Sequence, residues 1–302
     1  MTQDKEGFIR ATINYSLDNG APLDYYFYEP NPAIKLNPPG TDPHELNIFN
    51  GWSRLNQFSH DKEGFELKPI ANSFDQFDDD DAIKNSFYPL IIEFVKMHTQ
   101  AKRVEVFDHT IRKPMSEDLK DQTDIQRPIV QLAHCDYTPK SAPQRVREVF
   151  PIDADRLIQS RIAFFNVWKP LYRTVEEFPL AMCDETTADE EDKLIMELKY
   201  SDRTGEIFVF RYSPKHRWYY FPRMTPDQAL LLKTMNLNPS MQILWGIVLS
   251  KILLHQSMHQ LVKVLKFEQW LFSKIYKKDL IFISLRLTSH HGDIVQTGLF
   301  VI

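Results

Sequence analysis

Leu132-Ala133-His134-Cys135-Asp136-Tyr137-Thr138 sets a histidine and a carboxylate two residues apart in an extended segment. Side chains alternate between faces along such a segment, so His134 and Asp136 point to one side and Cys135 to the other. If that side looks into a pocket, it offers two ligands to one metal ion. A non-haem Fe(II) facial triad needs two histidines and one carboxylate on one side of the ion, with the other positions open. A His-x-Asp pair supplies two of the three. A chain with ten histidines carries roughly one such pair by chance, and His291-Gly292-Asp293 repeats the pattern, so the neighbouring sequence has to decide.

Outward from this stretch, Val104 to Arg112 alternates as a strand should, and Arg161 to Leu171 reads as a buried strand ended by proline. Further strands are expected at Pro179–Cys183, Leu194–Tyr200, Glu206–Tyr212 and Arg217–Pro222, with a helix beginning near Thr225. Asp78 to Asp81 open a helix running from Asp79 to about Gln100, where carboxylates favour the positive end of the helix dipole. That acidic run lacks the spaced ligands and glycine of a calcium loop. A second helix starts at Ser141-Ala142-Pro143-Gln144-Arg145-Val146-Arg147 and continues to about Leu157. Residues 9–50 read as short strands, among them Ala11–Tyr15 and Tyr25–Tyr28, joined by a proline-rich connector from Pro30 to Pro43. Many short strands with helices early in the chain give the expected fold class. It is mainly β with helical additions (α+β), on a β-barrel-like or jelly-roll core.

The composition narrows the function. A chain of 302 residues, 43% hydrophobic and 13% aromatic, can fill a sizeable core. Its formal charge of −5 gives no basic field for nucleic acid and no polybasic cluster for a membrane surface. With nine glycines and no glycine-rich loop, nucleotide binding loses ground. Two cysteines, Cys135 and Cys183, fit a reducing, cytoplasmic setting. The start carries no apolar leader pattern, and the most apolar stretch, Ile243 to Leu254, is too short to span a bilayer and contains Lys251. Neither nucleic acid nor a membrane is an expected partner.

Taken in order, several runs carry a resemblance: Phe107-Asp108-His109-Thr110-Ile111-Arg112, then His134-Cys135-Asp136-Tyr137-Thr138 with Arg145, then Asn166-Val167-Trp168-Lys169-Pro170-Leu171. Pro179-Leu180-Ala181 with Asp184 follows, and then His216-Arg217-Trp218-Tyr219-Tyr220-Phe221-Pro222 with Met224-Thr225-Pro226-Asp227. Over residues 8–234 the chain resembles the fungal hydroxylase/desaturase family of secondary-metabolite biosynthesis, itself similar to gibberellin desaturases and cephamycin methoxylation proteins. The resemblance implies an Fe(II)- and 2-oxoglutarate-dependent oxygenase on a double-stranded β-helix (jelly-roll) core that hydroxylates or desaturates a small-molecule substrate, a natural product. It also implies iron ligation by His134 and Asp136, and it marks Tyr137, Arg145, Asn166 and Trp168 as pocket candidates. Aromatic packing is the competing reading for Trp168 and for Trp218 to Phe221. For Arg145 and Asn166 a buried hydrogen bond or salt bridge competes with substrate contact. Cys135 is expected to be buried and inert, and His216 to be structural or at the surface.

Beyond Thr234 the resemblance stops. The family's distal histidine and its arginine-bearing strand have no counterpart there, and Met235 to Ile302 reads as an apolar, lysine-containing run with a helix to about Ile275. His255 and His259, one helical turn apart, lack the glutamate of a zincin motif and are not assigned as ligands. Codons permitted for Gly246 to Phe272, read one base out of frame, spell H-S-A-F-K-D-P-T-T-P-V-D-A-P and then E-V-R-A-M-V-V. The expectation is an atypical tail, frameshifted close to Thr234, that leaves the jelly roll without its last strands. The resulting segments are an N-terminal wrap (1–100), an oxygenase-like core (101–234) and the tail (235–302). A catalytically inactive relative that binds a small molecule or a partner protein is the alternative function.

Overall fold

The computed structural model describes residues 7–71, 73–112, 126–127, 132–176, 179–237, 248–249 and 294–301. In chain order the strands are β1 (Phe8–Tyr15), β2 (Leu23–Tyr26), β3 (Asp42–Asn50), β4 (Phe65–Pro69), β5 (Val104–Arg112), β6 (Gln126–Arg127) and β7 (Ala133–Cys135). They continue with β8 (Ile162–Pro170), β9 (Ala181–Cys183), β10 (Lys193–Lys199), β11 (Thr204–Phe210), β12 (Trp218–Tyr220), β13 (Gln228–Leu237), β14 (Val248–Leu249) and β15 (Ile294–Val301). The helices are α1 (Asp80–Ala82), α2 (Tyr88–Thr99), α3 (Ser141–Val149) and α4 (Ala154–Ile158), with a π-turn at Ile83–Phe87 joining α1 to α2.

The strands form two sheets. One holds nine strands in the order β1-β3-β12-β9-β14-β7-β11-β10-β2, the other six in the order β4-β13-β8-β15-β5-β6. Every residue of β8 is buried, and alternation along it sorts the side chains between two layers. Ala163, Phe165 and Val167 pack under Ile91, Phe94 and Val95 of α2. Phe164 faces the nine-stranded sheet with Cys135, Ala181 and Phe210, and Trp168 does so with Met182 and Tyr219. A strand covered on both faces reads as a continuous apolar run, which is how Ile162 to Pro170 reads.

The acidic run behaves as its position predicts. Asp79 caps the helix, its carboxylate accepting from the Ala82 N–H at 3.0 Å, and the helix ends at Gln100 with φ of 57°. Pro89 has no N–H to close a regular α-turn, and the π-turn sits directly before it.

Two expected helices need correction. No helix begins near Thr225: the Gln228 side chain accepts from the Thr225 N–H at 2.9 Å, and the Gln228 N–H returns to the Thr225 carbonyl at 3.0 Å. The capping signal closes a turn instead, and the leucine run that follows becomes β13, buried between β4 and β8. The helix expected to reach Leu157 breaks into α3 and α4, because Pro151 cannot continue the first. Strands β3 and β4 went unread, β3 because it begins on Asp42-Pro43 at the end of the proline-rich connector. Finally, the tail contributes two of the described strands. β14 pairs with β7 and β9, and β15 lies between β8 and β5. All three expected segments contribute strands to both sheets. The expected helix to Ile275 lies outside the described residues, as does nearly all of Gly246 to Phe272.

His216 is structural and buried. Its Nδ1 meets the Tyr15 hydroxyl at 3.1 Å, its Nε2 meets Asp192 at 3.2 Å, and Trp218 Nε1 donates to the same hydroxyl at 2.8 Å. Burial holds the pKa values of His216, His109 and His98 below the ordinary imidazole value. The unfolded chain therefore binds more protons than the folded one once the pH falls below about 6.5. The stability these neutral rings contribute is present above that pH and is lost as acidification proceeds toward their depressed folded values. The urea midpoint is expected to be lower at pH 5.5 than at pH 7.5, and His216→Gln is expected to flatten the dependence. Equal midpoints at the two pH values would show that these rings are not buried neutral.

Candidate active site

Strand β7 lies inside the nine-stranded sheet, His134 paired with Val209 of β11 on one side and Val248 of β14 on the other. The imidazole Nδ1 is 2.8 Å from the Leu132 carbonyl oxygen. A carbonyl only accepts, so Nδ1 carries the proton and the lone pair of the neutral ring is on Nε2. That Nε2 faces Asp136 Oδ1 at 3.4 Å. Two Lewis-basic atoms thus converge on one small space, an arrangement that a bound cation relieves. The other carboxylate oxygen, Oδ2, accepts from Asn166 Nδ2 at 2.6 Å. Asn166 belongs to β8, so this bond crosses from one sheet to the other and fixes which oxygen turns toward His134.

The chain after Asp136 is anchored locally. Thr138 and Ser141 cap each other, with the Thr138 N–H donating to Ser141 Oγ at 2.9 Å and the Ser141 N–H to Thr138 Oγ1 at 3.1 Å. Glu206 of β11 accepts from Thr138 Oγ1 at 3.1 Å and from Lys140 Nζ at 2.6 Å. This clamp starts α3 right after the His-x-Asp pair and puts Arg145, one turn on, beside Tyr137. Arg145 lies over the Phe107 ring at 4.9 Å and pairs with Glu148 at 3.0 Å. The Tyr137 ring packs on Phe164 with centroids 4.5 Å apart, and Phe164 is edge-on to Phe107 at 6.5 Å. Burial, then the Asp136 and Asp108 carboxylates, push the Tyr137 hydroxyl pKa well up against the opposing pull of Arg145, so it stays protonated.

The fold therefore brings together five of the six residues singled out by sequence: His134, Asp136, Tyr137, Arg145 and Asn166. Trp168 packs in a separate apolar cluster with Leu180, Met182, Tyr219 and Leu230. Phe107 and Phe164 line the same region and were not singled out as site residues. The signal for Phe164 was its place two residues before Asn166 on one face of β8. Cys135 is inert as expected, its thiol donating to the Thr234 carbonyl at 3.0 Å and its pKa pushed up by burial. Among the described residues no group of three or more His, Cys, Asp or Glu is placed to hold a metal. His255, His259, His291 and Asp293 lie outside the described residues. The described donors fit Fe(II) as two of three ligands, since neutral imidazole and carboxylate are the donor types of the facial triad.

Comparison with known proteins follows the same direction. The chain is 29% identical over 201 residues to the hydroxylase/desaturase efuI of Hormonema carpetanum, covering 60% of this chain and 68% of that protein. It is 28% identical over 216 residues to the Fe(II)/2-oxoglutarate-dependent dioxygenase nvfI of Aspergillus novofumigatus, covering 69% and 76%. Among solved structures, the iron and alpha-ketoglutarate-dependent endoperoxidase NvfI superposes with a TM-score of 0.76 at 19% identity, over 98% of each chain. That likeness establishes the jelly-roll fold. Among the described residues no helix is long and apolar enough to cross a membrane. The family model described as "Oxidoreductase/YMDC permease-like domain" matches residues 13–244, and this chain belongs to that family.

Proposed function

We propose that this chain is an Fe(II)- and 2-oxoglutarate-dependent hydroxylase or desaturase of a small natural-product intermediate, with His134 and Asp136 as two of the protein ligands. The observation that carries the reading is the convergence of His134 Nε2 and Asp136 Oδ1 at 3.4 Å, each oriented by a second bond, to the Leu132 carbonyl and to Asn166. The names of the related fungal proteins support the same chemistry. The buried free cysteines support a reducing, intracellular setting.

Bound Fe(II) with 2-oxoglutarate supplies the oxidising power that removes hydrogen from the substrate. The chain's own residues do the rest. The Leu132 carbonyl keeps the His134 proton on Nδ1, so Nε2 remains a donor. Asn166 holds Oδ2 of Asp136 and turns Oδ1 to the side of His134 Nε2, as outer-shell partners of metal ligands do. Phe107, Phe164 and the Tyr137 ring give an apolar wall that keeps water from the reacting centre.

Two measurements test this reading. Incubated with Fe(II) and 2-oxoglutarate, the protein is expected to release succinate, and His134→Ala and Asp136→Ala are expected to abolish the release. No succinate from the unaltered chain, with no bound iron, would favour a ligand-binding relative without activity. Asn166→Ala is expected to weaken Co(II) affinity about tenfold in an anaerobic titration, the lower end of what loss of an outer-shell partner costs. Unchanged affinity would remove Asn166 from that role.

A further inference from the structure

Residues paired across a sheet share a face, so the register shows what else lies on the face that carries His134. His134 is paired with Val209 of β11, and Val209 with Leu194 of β10. Two residues further along, Ile207 is paired with Met196 and Met196 with Leu23 of β2. Leu198 is paired with Tyr25 of β2. The opposite face of the same strands is ionic, with Glu197 bonded to Lys199 and Glu206 to Lys140. An apolar strip thus runs from the His134 position to the edge of the nine-stranded sheet. Its base, Leu23, Met196 and Val209, is buried, while Leu194, Leu198 and Ile207 are half-buried against it. At the outer end Tyr25 is 48% and Phe27 52% exposed. The Phe27 ring lies parallel to Tyr200 with centroids 4.4 Å apart, and Tyr25 meets Phe27 edge-on at 5.1 Å. Gly205, paired with Leu198, adds no side chain to the strip, and a Cβ there would stand 3.8 Å from both Leu198 and Tyr200. The clusters around Phe164 and Trp168 draw on both sheets. This one contains, among the described residues, no member of the six-stranded sheet.

From this register we infer that the strip holds the substrate, and that the substrate is an elongated apolar molecule with a flat, unsaturated far end. The reacting end lies at the His134–Asp136 pair and the far end on the rings of Tyr25, Phe27 and Tyr200. From β7 to β2 is three strand steps, so at about 4.8 Å each the molecule spans roughly 14 Å or more. A wall of this kind, apolar and without a charged group on its own face, selects by length and shape. Continuity with the ligand pair is what gives the exposed aromatic end to the substrate rather than to a second copy of the chain. The inference rests on the reading of His134 and Asp136 as iron ligands only for which end of the molecule reacts, and binding along the strip can be measured without metal.

The experiment is a metal-free fluorescence titration of the full chain with retinol, an elongated polyene, against β-ionone, which has the same ring and a short chain. Retinol is expected to bind at least about tenfold more tightly, because it alone reaches the outer rings. Tyr25→Ser combined with Phe27→Ser is expected to weaken retinol about tenfold and to leave β-ionone unchanged. Both side chains are half exposed, and an unchanged urea midpoint checks that the variant folds. Gly205→Leu, which projects into the strip, is expected to weaken retinol as well. Tyr26→Ser combined with Tyr28→Ser, on the other face of the same segment, is expected to change neither ligand. No preference for retinol, equal retinol affinity after the Tyr25 and Phe27 changes, or an equal loss from the Tyr26 and Tyr28 changes would each overturn the strip. So would a dimer in sedimentation that separates when Tyr25 and Phe27 are lost, which gives the face to a second copy instead. The two readings fail separately: a chain that holds no iron overturns the ligand assignment while retinol still reports on the strip, and a chain that releases succinate without preferring retinol loses the strip alone.

Discussion

The complete burial of β8 is the constraint on which the rest of the architecture turns. A strand enclosed on both faces needs a helix layer on one side and a second sheet on the other, and Ile162 to Pro170 has both. It also needs hydrogen-bonded neighbours on both edges, which β13 and β15 supply. Once β8 is fixed, its inward residues are aimed at the nine-stranded sheet, and Asn166 is the polar member of that inward row. The bond from Asn166 to Asp136 then spans the space between the sheets. Packing and site geometry are set by the same strand.

Buried charge is handled locally around this core. Lys233 of β13 is 1% exposed and reaches Asp61 at 2.8 Å, which holds the Asp61 carboxyl below its ordinary range despite burial. Glu66 on the adjacent β4 is held low likewise, offset against burial by His60 at 3.0 Å and Lys68 at 3.4 Å. Lys169, at the end of β8, is pushed down to about 8 by burial, and its ammonium donates to the Pro170 carbonyl at 3.1 Å. Lys233 and Lys169 each have an oxygen partner, as an ion taken out of water requires.

How much of this was legible in the sequence depended on whether the deciding force was local. Strand β5 and the helix from Asp79 to Gln100 were readable because alternation and a capping carboxylate are local signals. β13 was misread because Thr225-Pro226-Asp227-Gln228 satisfies a helix-start pattern equally well as a closed turn, and only the sheet on either side chooses between them. The tail was read as atypical and its strands were not placed, because a strand's place in a sheet is a tertiary property, and β15 acquires its place from β8 and β5. At the site, the convergence of His134 and Asp136 followed from two-residue spacing. The part played by Asn166, 30 residues from Asp136, required a distance across the sheets. Trp168 shares the inward face of β8 with Asn166 but falls in the neighbouring apolar cluster, a distinction that strand periodicity does not carry.

The thiol of Cys135 sits between the two converging side chains in sequence and on the opposite face of the strand, fully buried and bonded to the Thr234 carbonyl. Sulfur oxidation proceeds through the thiolate, and burial leaves almost none of that form at neutral pH. An oxygen-using centre endangers sulfur close to it, and the Cys135 thiol, flanked in sequence by His134 and Asp136, is kept in the chemical form that oxidants attack least. The alternation that turns His134 and Asp136 toward a common point is the same alternation that gives the residue between them its durability.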